Sequence, residues 1–424
     1  MRALLAGASE TAVTPPIGAP LVGPTASSTG VHDELFARAL VLSDGRQRAA
    51  IVCLDLVGLD FTLVDEIRDQ VRQRAGITTT LLNCTHTHSA PFTVPWSVLG
   101  WRWLAGDGLP WRAELVTKVT ETVCKAAESL SEAVLRVGRA TAQVGVNRRL
   151  PTPQGVTMKP NAQGAVVPWV DVLRVDAADE TPKAILFSHA AHPVIVHGAS
   201  TLISADYPGY AAARVKQRLG GETMALFAQG CGANINGEPL RGGFEAAERA
   251  GVMLADAAVK AAVESQPLKT ARLAAKSVTL ALPFRDGPSP DEAERALREA
   301  EDRLAQAKSK VADERQLWYS LDTVLCLQDL SRRAGRGERP SLRFEVNALT
   351  VGNEWCLLTM PHEVFAEYQL WADQVSPIPR TMTLAYTNGC ESYIPTDEAF
   401  QSGGYEAASF PSVAAALRYR NRIA

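Results

Sequence analysis

The sequence lacks any strong excess of charge and any long apolar run. Its 424 residues carry a formal net charge of −3, and the lysines and arginines are scattered along the chain. Nucleic acids and anionic membrane surfaces bind concentrated basic patches, so neither is expected as a partner. No stretch reaches the roughly 20 apolar residues of a membrane-spanning helix, and the apolar run after Met1 is too short for the core of a secretory signal. We therefore expect no membrane insertion.

The sequence also lacks a regular pattern of cysteines. Its seven cysteines form no CxxC pair, and Cys53, Cys326 and Cys356 lie in apolar runs, where a free thiol packs as a small hydrophobic group. This usage is typical of a reducing compartment, so we expect a cytoplasmic protein. Cys84 and Cys231 lie in or beside polar loops, but nothing near them in the sequence indicates the lowered thiol pKa of a nucleophile.

Composition and patterning predict an α/β protein. With 46% hydrophobic and 21% charged residues, the chain can bury a large core as one large domain or two intimately packed ones. Residues 48–57 are typical of a buried strand, Asp60 of a helix N-cap and Gly76 of a helix end, and an apolar β-branched run follows from Ile77. These signals predict a strand-helix-strand unit with two parallel strands.

Two histidines follow the second strand of this unit. In an extended chain His86 and His88 would leave the strand on one face, at the end where open α/β sheets hold their ligands. Histidine is the commonest metal ligand and the usual acid or base near neutral pH. The pair alone fits a catalytic centre and two satisfied loop histidines equally well, because so short a motif arises easily by chance.

A second apolar strand also ends in histidines. Residues 184–187 lead into His189, His192 and Pro193, with His197 shortly beyond. Five of the seven histidines therefore lie at two strand ends, which favours a shared functional centre. The alternative is that Pro193 fixes a turn and the histidines cap it.

Tryptophans cluster after the first histidine pair. Half of the chain's eight, Trp96, Trp101, Trp103 and Trp111, lie within this short segment. They could wall a substrate pocket or fill the core.

Residues 289–335 are highly charged, with apolar positions alternately three and four residues apart. This spacing predicts a heptad seam in a helical hairpin that packs on the main body or on a second subunit. The seam comprises Ala293, Leu297, Ala300, Leu304, Ala307, Val311, Trp318, Leu321 and Leu325.

The ordered set of polar segments resembles the catalytic domain of the neutral/alkaline (non-lysosomal) ceramidase family. The matching segments span nearly the whole chain: 14–18, His32-Asp33 with 37–39, 83–91, Asn147-Arg148, His192-Pro193, 227–229, 361–363, 393–396 and Tyr405-Glu406. The resemblance implies an α/β fold, with a mixed multi-layer arrangement of sheets and helices. It also implies one catalytic domain over residues 1–424, with 289–335 as a helical arm within it.

The resemblance implies a single bound zinc ion. Carried over residue by residue, its ligands are His86, His192, Glu363 and Tyr393. His88 matches a histidine next to the metal, and we expect it to move protons. Arg148 and Tyr405 match the polar groups that hold the scissile carbonyl. The residues alone gave no role to Glu363, a typical first-turn helix residue, or to the arginine pair at 148–149, typical of a solvated strand end.

The sequence departs from the family in two respects. Where family members carry a Gly-Asp-Val-Ser-Pro-Asn loop, residues 233–238 read Ala-Asn-Ile-Asn-Gly-Glu, so a serine nucleophile is missing and metal-activated water is expected. Ceramidases also carry an export signal and a C-terminal immunoglobulin-like domain, and neither is recognisable among these 424 residues. We therefore expect a small soluble substrate in place of a membrane sphingolipid.

These observations together predict a zinc-dependent hydrolase that cleaves the amide (N-acyl) bond of a small molecule. One alternative is a lactonase, esterase or cyclic-amide hydrolase that uses the same metal-activated water. Another is a non-catalytic zinc or small-molecule binding protein. The helical arm could in addition form a homo-oligomer.

Overall fold

The structure is a computed structural model that describes residues 4–283, 289–309, 314–336 and 341–408. Within these ranges the chain forms 22 strands and ten helices. The strands are β1 (Leu5–Ala12), β2 (Pro20–Leu21), β3 (Ala26–Ser27), β4 (Gly30–Val31), β5 (Phe36–Ser43), β6 (Arg48–Leu54), β7 (Thr79–Cys84), β8 (Ser131–Thr141), β9 (Gly145–Thr152), β10 (Gly155–Asn161), β11 (Trp169–Ala177), β12 (Pro182–His189), β13 (Leu202–Ile203), β14 (Met224–Gln229), β15 (Ile235–Gly237), β16 (Gln266–Pro267), β17 (Leu273–Pro283), β18 (Ser341–Val351), β19 (Trp355–Thr359), β20 (Glu363–Val364), β21 (Thr381–Leu384) and β22 (Tyr393–Ile394). The helices are α1 (Phe61–Ala75), α2 (Val98–Ala105), α3 (Leu109–Glu128), α4 (Asp206–Arg218), α5 (Phe244–Val263), α6 (Pro290–Ser309), α7 (Glu314–Arg336), α8 (Ala366–Val375), α9 (Asp397–Ser402) and α10 (Tyr405–Ala408).

A nine-stranded mixed sheet forms the centre of the fold. Its strand order is β14-β12-β11-β8-β1-β5-β6-β7, with β16 paired to β8. The β6–β7 and β12–β14 pairs are parallel, and the pairs between β12 and β6 are antiparallel. The predicted α/β class is therefore confirmed.

Successive side chains along each strand face opposite sides of the large sheet, and the fold has three layers. On β12, Phe187 packs with α4 and α5 on one face of the sheet, whereas Leu186 faces the opposite cluster. That cluster contains Leu349 and Leu357 from a second, four-stranded sheet of order β17-β18-β19-β21. Helices thus cover one face of the large sheet, and the smaller sheet covers the other.

The predicted strand-helix-strand unit is present as β6, α1 and β7. The Asp60 carboxylate caps α1 by accepting a hydrogen bond from the Leu63 backbone N–H at 2.7 Å. Gly76 ends the helix with a φ of 65°, which glycine adopts without the steric cost of a Cβ atom. The chain returns as β7, parallel to β6, and delivers the first histidines beyond its carboxyl end.

The predicted helical hairpin interrupts a β-hairpin. Strands β17 and β18 pair from Leu273↔Val351 to Pro283↔Ser341, and α6 and α7 lie between them in the sequence. The two helices pack around a cluster of their own, made of Ala293, Ala300, Leu304, Val324 and Leu327.

On α7 the register of the seam was right at Leu321, which packs against this cluster, but wrong at Leu325. Leu325 is 40% exposed, whereas its neighbours Val324 and Leu327 are buried. Of the other seam positions, Val311 and the side chain of Trp318 lie outside the described part of the chain. Among the described residues, no helix combines the length and the apolar content needed to cross a bilayer.

Candidate metal centre

His86 lies just beyond the carboxyl end of β7 and is fully buried. The extended conformation predicted here was wrong, because the strand ends at Cys84 and His86 adopts a φ of 69°. Its Nδ1–H donates to the Val57 carbonyl at 2.5 Å. That bond fixes the ring and leaves Nε2 as the free ligand atom, which lies 3.3 Å from Nε2 of His88.

His192 enters the same space from the loop after β12. Its Nδ1–H donates to the Gly232 carbonyl at 2.7 Å, so its Nε2 is also left with a lone pair. Burial is the main cause that lowers the pKa of His192, to about 4, and the neutral imidazole is therefore the form near pH 7. One ring nitrogen each of His86, His88 and His192 lies within 4.8 Å of the others, a group that could hold a metal ion.

The Glu363 carboxylate completes this centre. Its Oε2 lies 3.0 Å from His192 Nε2 and 3.4 Å from His86 Nε2. Burial would raise the pKa of Glu363, but the neighbouring imidazoles of His86 and His192 outweigh this and hold the pKa well below its usual range. The carboxylate therefore faces two imidazole rings whose Nδ1–H groups are used on backbone carbonyls. Such a meeting of acceptors is stabilised by a cation between them, so the donor set fits a divalent metal.

Glu363 lies in a strand. Its sequence position had instead indicated the first turn of a helix. β20 pairs in parallel with β22, and Glu363 is the register partner of Tyr393. Helix α8 begins only at Ala366. This short ladder brings together two of the side chains that the family resemblance had selected.

Arg148 lies beside Tyr393 and Tyr405. Its guanidinium carbon is 5.6 Å from the Tyr393 ring centroid and 5.8 Å from that of Tyr405. Tyr393 is buried, whereas Tyr405 is 46% exposed. The solvated strand end suggested for the arginine pair was wrong, because Arg148 and Arg149 are buried and both pair with Glu406.

His88 is half-buried, and its Nδ1 has no hydrogen-bond partner among the described residues. Burial is the main cause that lowers the pKa of His88, and His86 and His197 lower it further. His197 stands 5.1 Å from His88 between ring centroids. His189 does not join this group, since its Nδ1–H donates to the Trp169 carbonyl at 2.8 Å and its Nε2 accepts from the Val144 backbone N–H at 3.4 Å.

Sequence reasoning missed Tyr386. Its ring centroid lies 4.3 Å from that of His86, and its buried hydroxyl has no hydrogen-bond partner among the described residues. Tyr386 continues an apolar strand pattern, so no signal in the sequence separated it from the core. Trp96 also borders His86, at 5.9 Å between centroids.

Trp103, Trp111 and the two loop cysteines are core residues. Trp103 packs in the core against Trp111, and the side chain of Trp101 lies outside the described part of the chain. Cys84 and Cys231 are buried, and burial raises the pKa of both thiols. This opposes a nucleophilic role, because the thiolate is the reactive form.

Comparison with known proteins gives both a family and a fold. The family described as neutral/alkaline non-lysosomal ceramidase, N-terminal, matches residues 7–264. Neutral ceramidase from Pseudomonas aeruginosa has a similar structure, with a TM-score of 0.71 and 17% identity, over 100% of this chain and 76% of that chain. A ceramidase complexed with C2 gives a TM-score of 0.73, again with 17% identity and coverage of 100% and 76%. No curated protein matches the sequence. Because the family match extends over more than half of the chain, this protein belongs to the neutral/alkaline non-lysosomal ceramidase family.

Proposed function

We propose that this protein is a zinc-dependent hydrolase that cleaves the amide bond of a small soluble N-acyl compound. The observation that carries the proposal is the meeting of imidazole nitrogens with the Glu363 carboxylate in a buried centre. Nitrogen and oxygen donors in this number are the usual ligands of catalytic zinc. The solved relatives are named as ceramidases, which supports amide chemistry on the same fold.

In this proposal His86, His192, Glu363 and Tyr393 hold the metal. A bound zinc supplies a hydroxide nucleophile near neutral pH and Lewis acidity toward a carbonyl. His86 and His192 suit this role because a backbone carbonyl fixes each ring through Nδ1. Tyr393 suits it because its strand pairing sets it beside Glu363.

The other residues act on the substrate. Arg148 and Tyr405 hold the carbonyl oxygen as negative charge develops on it. His88 accepts a proton at a ring nitrogen and delivers it to the leaving nitrogen as the C–N bond breaks. Its position fits this task, because it is half-buried and lies next to His86.

The centre suits a compact substrate. The rings of Trp96 and Tyr386 lie 5.9 and 4.3 Å from the His86 ring between centroids, and both side chains are buried. In this proposal these two faces border the acyl group and favour a short one. We further propose that residues 289–335 are an arm of one catalytic domain.

The free cysteines of the described chain support a reducing compartment such as the cytoplasm.

The test combines metal analysis with a substrate panel. Purified protein should contain about one zinc ion per chain. It should hydrolyse N-acyl compounds of graded chain length, with the shortest preferred over ceramide in detergent micelles. Full activity in metal-free protein would overturn the zinc mechanism, and faster turnover of ceramide would overturn the substrate class.

Chelation separates a catalytic from a structural metal. A catalytic ion should leave with loss of activity while circular dichroism and the melting temperature change little, and added zinc should restore turnover. Unfolding on chelation would instead support a purely structural ion. His189→Gln is a matched control, because His189 is a buried strand-end histidine outside the centre.

A further inference from the structure

The guanidinium of Arg148 has a different environment at each nitrogen. Its Nε–H donates to Glu406 Oε1 at 2.7 Å, and its Nη1 donates to Asn236 Oδ1 at 3.1 Å. Its Nη2 is buried and has no hydrogen-bond partner among the described residues. Because a guanidinium is planar, bonds at two of its nitrogens fix the plane and so the direction of the third.

Glu406 joins Arg148 to the segment that carries Tyr405. Its other oxygen, Oε2, accepts from Nη1 of Arg149 at 2.5 Å. Arg149 in turn donates through Nη2 to the Gly403 carbonyl at 2.7 Å and to the Ala399 carbonyl at 3.2 Å. One buried carboxylate therefore holds both arginines and anchors α9 and α10.

The charges of this group do not fully neutralise the Arg148 guanidinium, which therefore presents positive charge to the centre. The two arginines share the single carboxylate of Glu406, and Arg148 also donates to the neutral amide of Asn236. An aspartate in its place would keep an acceptor for Nη1 but would neutralise the charge that Nη2 presents.

We propose that Glu406 and Asn236 are positioning residues that aim Arg148 Nη2 at the carbonyl oxygen of the substrate. This inference rests on the proposed function, in which Arg148 holds that oxygen. Glu406→Gln should lower kcat/KM by about 100-fold, the usual effect of losing one aimed donor in an oxyanion site. Asn236→Asp should lower kcat more than it raises KM, because it weakens the charge that stabilises the transition state.

A double-mutant cycle tests whether Glu406 acts through Arg148. If it does, Glu406→Gln should add no further loss to Arg148→Ala, and both variants should keep their zinc. Losses that multiply, or zinc that leaves with Glu406→Gln alone, would overturn the proposal. Arg149→Gln is the matched control, since it removes the other partner of the same carboxylate and should affect the melting temperature more than kcat. Asn236→Ala gives a second route if Glu406→Gln fails to fold, with an expected loss of about tenfold in kcat/KM.

A turnover-independent measurement separates this proposal from the proposed function. In zinc-loaded protein labelled with 15N-arginine, the Arg148 Nε–H resonance should be shifted by its charged acceptor and should lose that shift in Glu406→Gln. Butyrate, a short carboxylate probe, should bind about tenfold more weakly to Glu406→Gln and to Arg148→Ala, without additivity. If the wild type hydrolyses no N-acyl compound but shows both effects, the proposed function fails and the positioning role stands. An unchanged resonance and unchanged butyrate affinity would refute the positioning role.

Discussion

The side chain of Asn83 joins the two end strands of the nine-stranded sheet to each other. Its Oδ1 accepts from the backbone N–H of Gln229 at 2.8 Å, and its Nδ2 donates to the Gln229 carbonyl at 3.3 Å. Asn83 lies near the end of β7 and Gln229 at the end of β14, the last strands on opposite sides of the sheet. An amide side chain thus replaces a backbone ladder where the sheet nearly closes. The loops with His86 and His192 leave the sheet at this point.

Asn83→Ala should destabilise the fold. It would leave the buried Gln229 N–H and the Ala385 carbonyl, which now accepts from Asn83 Nδ2 at 2.7 Å, without these partners. The free energy of unfolding should fall by about 3 kcal/mol, the sum of two such losses. Urea denaturation monitored by tryptophan fluorescence would measure it. Thr80→Val on the same strand is the control, because the Thr80 hydroxyl is buried without a partner in the described chain and its loss should cost little.

Local signals predicted the elements but not the contacts between distant parts of the chain. Asp60 and Gly76 determine the ends of α1 through bonds to residues three or four positions away, and such short-range chemistry is readable in the sequence. The pairing of Glu363 with Tyr393 has no local signature, since a ladder of two residues lacks any period. Without it, Glu363 is typical of a helix start.

The same limit explains the arginine pair and the seam. Arg148 and Glu406 are 258 positions apart, so nothing near Arg148 indicated a buried partner. In the arm, one three-four spacing runs across α6 and α7, which are two separate helices packed on each other. A heptad register has meaning only within one continuous helix, which is why Leu325 was assigned to the wrong face.

Tyr393→Phe and Tyr405→Phe should have different effects. Tyr393 is buried and paired in register with Glu363, whereas Tyr405 is nearly half exposed. If Tyr393 is a zinc ligand, its loss should weaken zinc affinity by at least about tenfold, while Tyr405→Phe should keep the ion and lower kcat. Zinc titration with a competing chelator would measure the affinities. Equal zinc affinity in both variants and the wild type would remove Tyr393 from the ligand set.

The helical arm should contribute to a homo-oligomer. Leu325 is an exposed apolar residue on α7, so Leu325→Glu should weaken a subunit contact there without disturbing the buried cluster between the helices. Light scattering after gel filtration should then show a smaller mass than for the wild type. Met253→Glu on α5, which replaces another exposed apolar residue, is the control.

Deletion of residues 289–335 tests the arm as a whole. Pro283 and Ser341 are register partners, so the ends to be joined belong to one hairpin and the smaller sheet should form without the arm. If the deletion and Leu325→Glu both keep the wild-type number of subunits, the arm makes no essential subunit contact.

His86→Ala should lose both zinc and activity, whereas His88→Ala should keep zinc and lose activity. His86 is fully buried, and its bond to the Val57 carbonyl leaves one nitrogen facing Glu363. His88 has no such anchor among the described residues, because its Nδ1 is without a partner there. An imidazole that moves protons can be removed with a loss of roughly 100-fold or more in kcat while the metal ligands stay in place.

Zinc content beside turnover in both variants decides this assignment. Because the ring nitrogens of His86, His88 and His192 lie within 4.8 Å of one another, geometry also allows a three-histidine ligand set, and loss of zinc from both variants would favour it. If only His88→Ala lost its zinc, His88 would be the metal ligand and His86 the proton-transfer residue. If both variants stayed fully active, the histidines would be satisfied loop residues and the hydrolase proposal would fall. If His88→Ala instead keeps its zinc and its melting temperature but loses turnover, His88 is assigned to proton transfer. Only that role needs the imidazole for activity without needing it for the metal or the fold.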